Sequence, residues 1–142
     1  MKRVVVTGLG LVTALGNDVT TCWANLIAGK SGAGAITHFD SSKFKTQFAC
    51  EVKDLDVSNL FDPKELRRYD RYIHLAVKSA EEAINNAGLH ITQENPLRCG
   101  LIYGSGMGGV KTLDTNIGEF GEGDGIPRYS PFFIPMIITN MA

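Results

Sequence analysis

The sequence predicts an α/β fold, and three observations carry that prediction. Residues 3–8, RVVVTG, are a β-branched run closed by glycine, as in a strand covered on both faces. Residues 97–103, LRCGLIY, are a second apolar run, and it leads into the glycine-rich GSGMGG. Between them, residues 71–87 place Ile73, Ala76, Val77, Ala80, Ile84 and Ala87 on one helical stripe, whose small alanines predict close packing. Composition agrees with a globular chain: of 142 residues 44% are hydrophobic and 20% charged, and the net charge of -1 excludes both a disordered acidic chain and a polybasic nucleic-acid binder. The longest apolar stretch, FFIPMII, is broken by proline and falls far short of the ~20 residues a membrane-spanning helix needs.

Taken in order, the chain opens with the first core strand. Lys2 and Arg3 resemble the basic start of a signal peptide, but the apolar run after them stops at Thr7 and Gly8, so the segment reads as a strand. Val19, Cys22, Trp23, Leu26 and Ile27 recur at helical spacing, with Asn17 or Asp18 as cap and Gly29 as stop, and predict a helix that turns one face inward. Residues 30–53 read as a long loop ending in a short strand at 48–52. Asp62 as cap, Pro63 at the first helical position and Glu65 three residues after the cap predict a short helix, followed by the longer one over 71–87 that Gly88 ends. After the second strand and its glycine turn, a helix is expected from Val110 to about Gly118. The last segment, SPFFIPMIITNMA, has Ser130 as cap, Pro131 at the first helical position and apolar residues almost all round. Because nothing within the chain follows to cover that helix, the 142 residues are expected to be the N-terminal part of something longer.

The stretch GLIYGSGMGGVKT raises a nucleotide question. Gly104, Gly106 and Gly109 satisfy G-x-G-x-x-G between a strand and a helix, as in a dinucleotide fold, yet Asp124 lies in a loop where a ribose-binding acid should end another strand. Lys111 and Thr112 look like a P-loop, but Val110 intervenes between Gly109 and the lysine. The other reading is that these glycines let backbone pass close to something else. Cys22, Cys50 and Cys99 form neither a disulfide framework nor a C-x-x-C pair, which fits a cytoplasmic chain, and they read as buried small apolar residues. His38, His74 and His90 are scattered without metal-ligand spacing. Lys64, Arg67, Arg68 and Arg71 recur at i, i+3, i+4 and i+7, either as a solvated face or as an edge that steers an acidic partner.

The strings RVVVTGLGLVTALGND, GKSG, HFD, GLIYGSGMGG and SPFFIPMIITNMA, in this order and spacing, resemble the N-terminal portion of the beta-ketoacyl-acyl-carrier-protein synthases, above all the type II condensing enzymes of bacterial fatty-acid synthesis. The resemblance implies a thiolase-like α-β-α-β-α layered fold, of which residues 1–142 supply most of the first half, in a cytoplasmic homodimer. It implies that Met107 contacts the growing acyl chain in a tunnel, and that Phe133, Ile134 and Ile138 line the partner's tunnel across the dimer interface. Lys64, Arg67, Arg68 and Arg128 match a docking edge for the acidic acyl carrier protein, which brings acyl and malonyl thioesters on a phosphopantetheine arm; no cofactor or metal bound to the chain itself is implied. The reaction implied is a decarboxylative Claisen condensation on an active-site cysteine assisted by two histidines. Those catalytic residues are expected beyond Ala142, so no catalytic role falls to His38, His74 or His90. Two other readings stay open, a carrier-binding homologue without the cysteine and a dinucleotide-binding oxidoreductase domain.

Overall fold

A computed structural model describes residues 3–91 and 96–142, and Lys2 lies outside it. The described residues mix helix and sheet: α1 (Val19–Ile27), β1 (Gly34–Ala35), β2 (Phe48–Ala49), α2 (Arg71–Ala87), α3 (Val110–Glu122) and α4 (Phe133–Ile137), with 3-10 turns at Pro96–Arg98 and Thr139–Met141. They divide into two compact units, Met1–Asp56 with Lys78–His90, and Val57–Val77 with Ile91–Ala142. Among the described residues no helix is long and apolar enough to cross a membrane.

In the first unit α1 begins where the cap signal put it. Asp18 is extended, its Oδ1 accepts from the Thr21 N–H at 2.7 Å and its Oδ2 from the Thr21 hydroxyl at 2.7 Å, satisfying one of the four donors a helix start leaves open. Residues 8–11 lie along the later half of α2. Asn86 Oδ1 accepts from Leu9 N–H at 3.1 Å, and the Glu82 carboxylate accepts from Leu11 N–H at 2.9 Å and from Val19 N–H at 2.7 Å, so one side chain ties the segment to the start of α1. The approach is close enough to demand glycine: a Cβ on Gly10 would sit 1.9 Å from the Ser79 carbonyl oxygen, and one on Gly8 2.2 Å from that of Ala83. The approach falls on Ser79, Ala83 and Ala87 of α2, of which only Ala87 belongs to the stripe read from the sequence.

Four expectations for this unit need correction. Residues 3–8 form no strand among the described residues, and Val4 is 94% exposed rather than covered on both faces. A strand is completed by a ladder partner, which an apolar run cannot supply for itself. The segment read as loop contributes a strand, since Gly34 pairs with Ala49 and Ala35 with Phe48 in antiparallel register. The strand read at 48–52 shortens to Phe48–Ala49. The apolar face of α1 is also largely open: only Cys22 is buried, whereas Trp23, Leu26 and Ile27 are exposed. With Leu9, Leu11 and Leu15, Trp23 and Leu26 of that face line an apolar groove of about 560 Å³.

The second unit buries Val57, Phe61, Ile73 and Ala76. Phe61 meets the edge of His74 at 5.1 Å between ring centroids and Tyr69 at 5.8 Å. The capping box at 62–65 forms, with Asp62 Oδ1 accepting from Lys64 and Glu65 N–H at 2.7 and 2.8 Å and Glu65 Oε2 accepting from Asp62 N–H at 3.0 Å. It closes a run of turns over 63–68, however, and not the short helix expected there. Helix α2 matches its expected bounds. Helix α3 runs on through Gly118 and Gly121 to Glu122, because an interior glycine costs only about 1 kcal/mol and does not by itself stop a helix. The run read as a second strand forms no strand among the described residues, and Ile102 is fully exposed. The final helix is confined to Phe133–Ile137 with Phe132 as its cap; Ser130 instead folds a local turn in which its Oγ accepts from Phe132 N–H at 3.1 Å. Ile138 leaves the helical region at ψ 138.

Candidate functional site

The features that point to function lie in the second unit, around the turn at residues 104–109. Ser105 Oγ accepts from Gly108 N–H at 3.0 Å and closes the turn, leaving Met107 at its tip 72% exposed. The turn rests directly on the backbone of the last segment: Gly109 N–H donates to the Ile137 carbonyl at 3.3 Å. A Cβ on Gly108 would lie 2.2 Å from the Ile137 oxygen, and one on Gly109 2.0 Å from the Met136 oxygen. Gly108, at φ +60, also occupies the left-handed region that suits glycine. Gly108 and Gly109 therefore serve backbone approach, the second of the two readings open from sequence, whereas a Cβ on Gly104 or Gly106 would meet nothing within 4 Å.

One carboxylate fixes this turn from below. Asp70, almost fully buried, accepts through Oδ2 from the Thr112 N–H at 3.3 Å and from the Thr112 hydroxyl, and through Oδ1 from Tyr72 N–H at 3.4 Å. It thus caps the starts of α2 and α3 together. Val110 N–H is taken by the Gly108 carbonyl at 3.0 Å. The anion position at the start of α3, which a nucleotide phosphate would need, is filled by a protein carboxylate. Tyr72 completes the frame by donating its hydroxyl to the Ile138 carbonyl.

The turn bearing Met107 and the segment bearing Phe133, Ile134 and Ile138 are thereby brought together along a shared backbone seam. Ile134 and Ile138 are exposed, whereas the Phe133 ring is engaged, stacked on Tyr129 at 4.9 Å and 17°. Lys64, Arg67 and Arg68 stand exposed on the turns at 63–68. The Arg68 guanidinium lies over the Phe132 ring, 4.7 Å from its centroid, a contact that joins the cationic turn to the apolar segment. Arg128 is committed to Asp124 through a forked pair, Nη1 to Oδ1 at 3.1 Å and Nη2 to Oδ2 at 2.6 Å, which holds the Asp124 carboxyl below its usual range. The cations that the resemblance groups as a docking edge are therefore in three different states.

The remaining candidates take structural parts. The Cys22 thiol donates to the Gly16 carbonyl at 3.1 Å and lies 3.2 Å from the Thr13 hydroxyl, while Cys50 and Cys99 are exposed, contrary to the expectation that all three are buried. His74 is held below its ordinary pKa by burial, with a smaller opposing pull from Asp70. His38 lies 4.0 Å from Glu51, whose carboxylate accepts from the Thr37 hydroxyl at 2.7 Å and the Thr37 N–H at 3.0 Å. Asp70 went unnoticed in the sequence, although an aspartate just before a helical stripe is a capping signal.

The backbone defines the class of protein. It superposes with a TM-score of 0.78 on a crystal structure of a beta-ketoacyl synthase from Burkholderia phymatum, 27% identical, covering 99% of this chain and 35% of that one. It superposes with a TM-score of 0.77 on the ishigamide ketosynthase/chain length factor, 28% identical, covering 96% of this chain and 34% of that one. The fold is the thiolase-like ketosynthase fold. The model for the N-terminal domain of beta-ketoacyl synthases matches residues 1–142, and the chain belongs to that family. A 3-oxoacyl-[acyl-carrier-protein] synthase 2 of Coxiella burnetii is 45% identical over 99% of the chain, which spans 34% of that relative's length.

Proposed function

We propose that this chain is the N-terminal third of a condensing enzyme of fatty-acid elongation, in which it supplies acyl-contact, dimer and carrier-docking surfaces. The observation that carries the reading is the Met107 turn seated on the backbone of residues 136–137, in a chain 45% identical to a 3-oxoacyl-[acyl-carrier-protein] synthase. In the reaction, a cysteine outside the chain takes the acyl group from its carrier thioester. Malonyl-carrier then loses carbon dioxide, and the resulting carbanion attacks the acyl thioester to form the new carbon–carbon bond and release the cysteine. The chain's share is to hold the acyl group: an unbranched, polarisable methionine on a rigid turn is an adaptable apolar contact. Phe133, Ile134 and Ile138 serve the acyl site of the second subunit, and Lys64, Arg67, Arg68 and Arg128 meet the acidic carrier protein. Substrate arrives on the carrier's phosphopantetheine, the protein binds no cofactor of its own, and it works as a cytoplasmic homodimer.

The test is Met107→Phe in the complete enzyme. Overfilling a packed apolar wall costs about 1 to 3 kcal/mol, so long acyl primers should lose roughly 5- to 150-fold in kcat/KM relative to short ones. An equal loss at every primer length would remove Met107 from the acyl site. Carrier binding without any condensation by the unsubstituted enzyme would mark a non-catalytic homologue.

A further inference from the structure

We infer that Asp70 is a specificity-determining positioning residue, one that sets where Met107 stands and therefore which acyl chains are accepted; the inference rests on the acyl-contact reading of Met107. Asp70 lies 37 positions from Met107 in sequence, yet it is bound to the same rigid piece. Its Oδ2 holds Thr112 in the first turn of α3 through both the N–H and the hydroxyl. Leu113 N–H donates to the Gly109 carbonyl at 3.0 Å, so α3 grows directly out of the turn that carries Met107. A Cβ on Gly109 would come within 3.0 Å of Asp70 Oδ2, which places the carboxylate against the turn itself as well as against the helix. On its other side Asp70 caps α2 at Tyr72 N–H, and the Tyr72 hydroxyl reaches the Ile138 carbonyl, on the segment whose backbone supports Gly108 and Gly109.

The Met107 turn is therefore held from two directions, by carbonyls of residues 136–137 and by Asp70, and only the second hold can be removed without touching the apolar segment. A buried carboxylate with two committed acceptor oxygens is a stiff support, because moving the turn would leave a charge partly unpaired. Loss of this support should let the turn shift and change the room left beside Met107. Short acyl groups that do not reach the turn would sense the change less than long ones.

The experiment compares kcat/KM for short and long acyl primers in the complete enzyme carrying Asp70→Asn, Thr112→Val, Met107→Ala, or Asp70→Asn together with Met107→Ala. Asp70→Asn and Thr112→Val should each change the long-to-short ratio by about two- to tenfold, the range of one lost hydrogen bond, and the Asp70→Asn effect on the ratio should disappear once Met107 is alanine. If Met107→Ala shifts the ratio but Asp70→Asn and Thr112→Val leave it unchanged, or if the Asp70→Asn effect persists undiminished in the Met107→Ala background, the positioning role is wrong while the acyl-contact reading stands. If Met107→Ala itself leaves the ratio unchanged, the acyl-contact reading fails and the inference falls with it. Thr112→Val keeps the carboxylate and the helix, so it decides the matter if Asp70→Asn does not fold.

Discussion

Asp18 shows how much one side chain does at a helix start. Two contacts to Thr21 satisfy an open amide and a hydroxyl, and they hold the Asp18 carboxyl below its ordinary value of 3.8, the backbone bond contributing most. Asp18→Ala should lower stability by about 0.5–2 kcal/mol at neutral pH, read as a fall in Tm. Because the folded-state pKa is depressed, this contribution is complete above the unfolded value near 3.8 and is lost as pH falls through the lower folded value. The Tm gap between the parent and Asp18→Ala should accordingly narrow below that pH. A gap that stays constant down to strong acid would mean that the cap acts through something other than its charge.

At the scale of elements, the proposed docking edge is best tested on the turns at 63–68, and Arg68 should be left in place. Its guanidinium covers Phe132, so reversing its charge would disturb packing as well as field. Lys64→Glu with Arg67→Glu should weaken binding of an acidic carrier protein, with most of the loss in association rate and with the loss shrinking as salt rises, while activity on small thioester analogues holds. Equal losses on both substrate types would assign the effect to damaged folding. Elements also mark what the sequence made legible. The bounds of α1 and α2 could be read because caps, helical spacing and closing glycines are local signals. The runs at 3–8 and 97–103 misled because β pairing depends on a partner that no local pattern names. In the site, Met107 and the apolar segment were recognisable as strings, but Asp70 was not, since its Thr112 partner lies 42 positions away.

At the scale of the whole molecule, exposed apolar surface is widespread: Val4, Val6, Leu97, Leu101 and Ile102 are all largely exposed, and the first unit has in addition an open groove along α1. Residues 1–142 purified alone should therefore self-associate and bind a hydrophobic dye, and should form no ketoacyl product. A monodisperse monomer by light scattering, or measurable condensation, would contradict this. The tie that Glu82 and Asn86 make to the opening segment has a consequence of another kind, in the rhythm of amide exchange. In a sheet, protection runs along a strand; here it should fall on alternate amides, with Leu9 and Leu11 slow because side chains of α2 hold them and Val4 to Val6 exchanging almost at once. Deuterium uptake resolved residue by residue would show the two leucines losing protection together when Glu82 and Asn86 become alanine. An edge that looks bare by its secondary structure would then carry the memory of a helix, written one amide in two.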